Sequence, residues 1–132
     1  MKTRESDIKI TKNIIRNYIR QQLLSLSNSS KETFSNTITE YFLTTGRLHT
    51  LDSLFVYISR PSEVNTCQLI ELALQTEVKV YVPKIVNNHM IAQRLLRVTD
   101  LVPGKWGLLE PVASSDSPTH VDLVITPGLA FT

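Results

Sequence analysis

Apolar positions in the first third of the chain recur at helical spacing. In residues 8–26, IKITKNIIRNYIRQQLLSL, they fall at 8, 15, 19, 23 and 26, with 14 and 18 beside them, which predicts an amphipathic helix. The polar run SNSSKE interrupts this pattern, and Ser29 with Glu32 has the S-x-x-E form of a capping box opening a second helix. Phe34, Ile38, Tyr41, Phe42 and Thr45 then share one face, and Gly46 is the expected stop.

The period changes in the middle of the chain. SLFVYI (53–58) is short, aromatic and β-branched, and SRPSE follows it as a turn or loop. TCQLIELALQTE (66–77) returns to helical spacing, capped by Asn65 or Thr66. VKVYVPKI (78–85) then alternates Val78, Val80 and Val82 with Lys79 and Tyr81. Strand, helix and strand in this compass predict a βαβ unit with a parallel pair. NNH (87–89) reads as a turn into a third strand near 90–98. VPGKWG and SSDSPTH read as loops, and VDLVITP (121–127) as the last strand. The class is α/β, in one domain over residues 1–132.

Charge and cysteine content narrow the setting. The chain has 132 residues, 42% hydrophobic and 20% charged, which is the balance of a folded domain. The net charge is +2, yet residues 1–20 hold six Lys or Arg against Glu5 and Asp7. A basic end of this kind suits an anionic partner. Cys67 is the single cysteine, so no intrachain disulfide can form. MKTRESDIKITK carries no apolar stretch of the signal-peptide type, and no apolar run is long enough to span a bilayer. A cytoplasmic location is expected, with no membrane.

Three constellations could carry chemistry. Lys9, Lys12, Arg16 and Arg20 fall within an arc of about 80° on the first helix, at about 100° per residue. Such a stripe either grips phosphate oxygens or is a solvated face whose stems cover the edge of the core. Glu63 follows a strand and precedes a helix; it either accepts hydrogen bonds from an amino-heterocycle or sits there because negative charge favours a helix start. Trp106, in PGKWGLLEP, either offers a flat wall for stacking a planar ligand or pins its loop to the core. With four glycines in the chain there is no G-x-G-x-x-G or Walker-type run. His49, His89, His120 and Cys67 are too scattered for a zinc set or a nucleophilic triad. Basic charge confined to one helix, without a nucleic-acid motif, argues against a nucleic-acid partner.

Lys12-x-x-x-Arg16, VYISRPSEVNT, VYVPKI, Met90, WGLLEP and DLVITPGLAF, in this order, resemble the 5-formyltetrahydrofolate cyclo-ligase family, also called methenyltetrahydrofolate synthetases. The resemblance implies a three-layer α/β sandwich with a largely parallel sheet, CoA-transferase-like, incomplete at its C-terminal end. It implies a ligase of folate and one-carbon metabolism, closing 5-formyltetrahydrofolate to 5,10-methenyltetrahydrofolate with ATP and magnesium. By residue it implies that Lys12 and Arg16 hold ATP phosphates. Ile58 and Glu63 would contact folate, Glu63 at the pterin, while Met90 and Trp106 line the folate pocket.

Family members continue past the PGLAF segment into a glycine-rich run with an arginine, ending in Tyr-Tyr-Asp, which cradles the triphosphate and helps hold magnesium. These 132 residues carry no such run. The resemblance therefore implies a domain lacking its C-terminal third, with impaired turnover and metal ligands outside this chain. The alternative is a non-catalytic folate- or nucleotide-binding module. An uncovered sheet edge would favour self-association or a complementing chain.

Overall fold

The computed structural model describes residues 2–112 and 116–131, so Ser114 and Ser115 of the expected loop at 114–120, and Thr132, lie outside the described residues. The order is α1 (Lys2–Ser25), α2 (Asn28–Thr44), β1 (Ser53–Val56), α3 (Cys67–Leu74), β2 (Lys79–Val86), β3 (His89–Leu95), β4 (Leu101–Pro103), β5 (Leu109–Pro111) and β6 (Leu123–Ile125). A short 3-10 turn, Arg47–Thr50, leads into β1. The main sheet runs β3-β2-β1-β6, and β4 with β5 forms a separate ribbon. β1 is parallel to both β2 and β6, while β3 returns antiparallel along β2. This is an α/β fold with a mostly parallel central sheet, as expected, and the βαβ unit is β1-α3-β2.

Strand register creates the core. Leu95, Val80, Leu54 and Leu123 stand in one row across the four strands. Val56 and Val82 extend that face, and Ile70 and Ala73 of α3 pack on it together with Leu48. Leu54, Val56, Val80 and Val82 are fully buried. On the opposite face Tyr81 is buried, with the Arg94 guanidinium 5.6 Å from its ring centre, whereas Val124 on β6 is half-exposed.

The helices depart from the sequence pattern in instructive ways. α1 begins before residue 8, and of its expected apolar face only Ile19, Leu23 and Leu26 are partly covered; Ile8 and Ile15 stay exposed. The cap of α2 is Ser27 and not the expected Ser29–Glu32 box. Ser27 has extended backbone, and its Oγ accepts from the Ser30 N–H at 3.1 Å, so Ser29 is already helical. Gly46 does end this segment, with φ of 69° in the left-handed region.

α2 also lies turned from the expected orientation. Its buried residues are Ser35 and Thr39, and Phe42 and Leu43 reach the core, while Phe34, Ile38 and Tyr41 are exposed. Small polar side chains let the helix approach closely, and Ser35 Oγ accepts from the Asn65 N–H at 2.9 Å. Of the two candidate caps of α3, Asn65 supplies the bond, its Oδ1 accepting from the Cys67 N–H at 2.9 Å. Thr66 instead donates to the Tyr57 carbonyl at 2.8 Å.

Two features of the second half position the site. Asn87 and Asn88 both have positive φ, giving the tight hairpin turn that NNH predicts. β2 is twice the length of β1, so its residues 83–86, with β3 alongside, overhang the carboxyl end of the sheet. VPGKWG, expected as a loop, instead belongs to the β4–β5 ribbon, with Val102 and Pro103 on β4 and residues 104–107 in its turn. Its turn is closed by Gly104 N–H donating to the Leu108 carbonyl at 2.7 Å.

At the other edge Asp122 joins β1 to β6. Its Oδ2 accepts from the N–H groups of Asp52 (2.8 Å) and Ser53 (3.0 Å), and its own N–H donates to Ser53 Oγ at 3.0 Å. These backbone bonds, with help from His120, hold the Asp122 carboxyl below the usual carboxylate range. A depressed folded-state value gives stability that is present above the ordinary range and lost as pH falls through the depressed one. Asp122→Ala should lower the melting temperature at neutral pH, with the gap to the parent closing on acidification through and below the ordinary carboxylate range; pH-dependent thermal melts read it. Leu54→Ala, in the fully buried central row, should cost about 2–5 kcal/mol in a denaturant titration.

Candidate functional site

Parallel pairing brings the carboxyl ends of β1 and β6 together, and the two loops leaving them enclose a cleft of about 430 Å³. Tyr57, Glu63 and Val64 come from the loop after β1, and residues 125–129 and 131 from β6 and the segment after it. Ile38 of α2 and Ile19 and Leu23 of α1 close the remaining side. The lining is mainly apolar, with Glu63 as its charged group. Clefts of this kind, outside the carboxyl ends of strands, are where α/β proteins take ligands.

The loop after β1 is held by its own hydrogen bonds. Tyr57 OH donates to the Val64 carbonyl at 2.8 Å, spanning the loop. Arg60 N–H donates to Glu63 Oε2 at 2.8 Å, while Glu63 N–H donates to the Arg60 carbonyl at 3.0 Å. Thr66 N–H reaches Ser59 Oγ at 3.2 Å, and Tyr57 N–H continues the β6 ladder by donating to Ile125 O at 3.3 Å. Burial, and then the Glu63 charge, push the Tyr57 phenol above its ordinary value. It stays protonated at neutral pH and keeps its bond to Val64. A loop bonded in this way carries Glu63 on a fixed support, at little ordering cost to a ligand.

On the other wall, Gly128 lies directly under the ring of Phe131, which would have to swing aside for any side chain there. The segment 126–131 thereby folds back on itself at the rim.

The expected site residues fall into two groups. Glu63 lines the cleft. Lys12 and Arg16 are exposed on α1, and Arg16 Nη1 donates to Asn13 Oδ1 at 3.3 Å. By helical geometry Lys12, Arg16, Ile19 and Leu23 lie within an arc of about 60°, so the two cations continue outward along the face that lines the cleft, roughly 4 and 10 Å beyond Ile19.

Ile58 is partly buried against the core and is not part of this lining. Met90 and Trp106 belong to a second group at the overhanging hairpin and ribbon. Met90 pairs with Ile85, whose N–H donates to Glu110 of the ribbon at 3.1 Å. Both are largely exposed, at 63% and 67%. Trp106 has φ of 59°, in the left-handed region that non-glycine residues seldom adopt.

Sequence reasoning missed Tyr57, Ile19, Leu23 and Ile38 as cleft residues. Ile19 and Leu23 carried a signal, because they were the apolar neighbours of the basic stripe on α1, and Ile38 belonged to the expected apolar face of α2. Tyr57 carried none, because the sequence places it within the strand SLFVYI, whereas β1 ends at Val56 and leaves Tyr57 at the start of the loop. A second, more polar hollow of about 570 Å³ lies on the far side of the same loop and also touches Glu63. It opens between α2, the loop and α3, away from β6. Among the described residues no group of three or more His, Cys, Asp and Glu could hold a metal ion, and no helix is long and apolar enough to cross a membrane.

Known proteins agree with this architecture. The chain is 34% identical over 83 residues to a probable 5-formyltetrahydrofolate cyclo-ligase of Schizosaccharomyces pombe, covering 58% of this chain and 41% of that one. It is 25% identical over 137 residues to a probable 5-formyltetrahydrofolate cyclo-ligase of Caenorhabditis elegans, covering 96% and 66%. The fold is similar to that of a 5,10-methenyltetrahydrofolate synthetase from Aquifex aeolicus, with a TM-score of 0.80 at 22% identity, over 90% of this chain and 61% of that one. A synthetase of the same name from Mycoplasma pneumoniae matches with a TM-score of 0.55 at 19% identity, over 64% and 53%. The chain thus spans between 41% and 66% of the length of these relatives. The model of the 5-formyltetrahydrofolate cyclo-ligase family matches residues 8–132, and the chain belongs to that family.

Proposed function

We propose that this chain binds 5-formyltetrahydrofolate at the carboxyl ends of β1 and β6 and serves its ATP-dependent closure to 5,10-methenyltetrahydrofolate. One observation carries the reading. The cleft that holds Glu63 is walled by the α1 face that bears Arg16 and Lys12. A carboxylate for a heterocycle thus lies in the cleft, and cations for phosphate continue the helix face that walls it. Family membership supplies the reaction class.

In the proposed reaction the formyl oxygen takes the γ-phosphoryl group of ATP, and ADP leaves. The neighbouring nitrogen then attacks the activated carbon, loses its proton, and phosphate departs with the former formyl oxygen. Glu63, oriented by the Arg60 N–H, accepts hydrogen bonds from the pterin amino side. Ile58, Met90 and Trp106 supply apolar contact to the folate. Arg16 offers a planar fork and Lys12 a point charge to the phosphates.

Magnesium would enter with the nucleotide phosphates, because the described residues do not form a cage for it. Stabilising charge on the transferring phosphoryl group is the main task in such chemistry. With four glycines and no phosphate-cradling run, these 132 residues hold the triphosphate from one side. The single Cys67 and the folate substrate suit a cytoplasmic setting.

A second reading has its own observation. Among the described residues β6 pairs with β1 alone, and Val124 and Phe131 are exposed beside it. On this reading residues 1–132 are a folate-binding unit completed by a second chain. Light scattering separates the two readings, a cooperative monomer counting against the second.

Titrating the chain with 5-formyltetrahydrofolate while following Trp106 fluorescence should show saturable quenching. Glu63→Gln should weaken that binding about tenfold or more, since a charged acceptor contributes roughly 1.5–3 kcal/mol. Calorimetry with MgATP should show weak binding that Lys12→Ala with Arg16→Ala abolishes. Mixing chain, MgATP and 5-formyltetrahydrofolate should give little methenyl absorbance. Rapid turnover would overturn the one-sided phosphate grip.

A further inference from the structure

A buried carboxylate fastens the ribbon to the overhanging hairpin. Glu110 is 7% exposed. Its Oε1 accepts from the Ile85 N–H at 3.1 Å, and its Oε2 lies 3.7 Å from Lys84 Nζ. Lys84 Nζ in turn donates to the Pro111 carbonyl at 2.9 Å. The backbone of Gly104 passes so close to the Glu110 side chain that a Cβ there would overlap it. Carboxylate, ammonium, backbone amide and a bare glycine therefore form one joint between β2 and the ribbon.

Burying an ion pair is a poor way to gain stability, because apolar residues of like volume pack at no desolvation cost. What it does provide is direction. A carboxylate accepting one particular N–H fixes both distance and angle, whereas an apolar contact can slide. The two parts that this joint fixes are informative. On one side Ile85 is the ladder partner of Met90. On the other, Glu110 faces Val102 across the ribbon, whose turn presents Trp106 in a left-handed backbone conformation. Trp106 is 67% exposed and its backbone is strained, so little packing helps to set its place.

We propose that Glu110 is a positioning residue that sets the Trp106 turn at a fixed spacing from Met90, so that the two form a preformed wall for the flat ring system of the folate. This rests on the reading of Met90 and Trp106 as folate contacts. Lys84 neutralises the carboxylate, and Gly104 leaves the room it occupies. Without the joint the ribbon keeps its own hydrogen bonds but loses its fixed seat on the hairpin, and a ligand would have to order it on binding.

The test uses the only tryptophan as its reporter, in the intact chain. Steady-state anisotropy of Trp106 is measured without ligand, and 5-formyltetrahydrofolate affinity is measured by calorimetry. Glu110→Ala should lower the anisotropy and weaken affinity about tenfold. Glu110→Gln, which keeps an acceptor for the Ile85 N–H, should recover most of both. Where Glu110→Ala does not fold, Gly104→Ala displaces the same carboxylate without removing its charge and carries the same expectation. Parent-like anisotropy and affinity in Glu110→Ala would overturn the positioning role while leaving the folate reading intact. Losses in both Glu110 variants that merely follow their melting temperatures would also overturn it. If the parent itself does not bind 5-formyltetrahydrofolate, the folate reading fails, and this proposal fails with it.

Discussion

Parallel pairing places the carboxyl ends of neighbouring strands side by side, and this constraint organises the molecule around β1. β1 is only four residues long, yet it pairs with β2 on one side and β6 on the other. Leu54 stands at the centre of the row that these pairings create. Fixing β1 therefore fixes the loop after it, the segment after β6, and the point where β2 leaves the sheet to overhang. Asp122 defends the arrangement from the opposite end, because a carboxylate bonded to two successive N–H groups of the chain entering β1 admits one register. Slipping by one residue would turn the buried row out toward solvent.

Much of this was legible in the sequence because the signals were local. The alternation in VKVYVPKI and the helical spacing of TCQLIELALQTE have one simple reading each, and NNH carries its turn geometry in its residue types. What could not be read depends on contacts made far along the chain. Phe34, Ile38 and Tyr41 form a sound apolar face, yet α2 buries Ser35 and Thr39 instead. The amide that Ser35 must meet belongs to Asn65, thirty residues on. The ribbon was hidden for a similar reason. Three-residue strands are too short to show a period, and Glu110 looks like a surface residue until its partners on β2 are known.

The site was legible in part. Glu63 and the basic stripe stood out as residue types in context; Glu63 lines the cleft, while Lys12 and Arg16 are exposed farther along the helix whose Ile19 and Leu23 line it. Tyr57 did not stand out, because its contribution is to span its own loop by a bond to Val64. Met90 and Trp106 lie on a different support from Glu63, the hairpin–ribbon unit and not the cleft loops.

The basic arm has a thermodynamic consequence of another kind. α1 spans 24 residues, about 36 Å, and residues 4–18 are exposed throughout. A helix without tertiary support is held by its own backbone bonds, which fray and re-form at modest free-energy cost. Lys12 and Arg16 share a face only while those turns are wound. An anion that bridged them, as proposed, would bind to one population of a helix–coil equilibrium, and its apparent affinity would be reduced by the coiled fraction. By linkage, occupancy of the arm and the winding of α1 rise together.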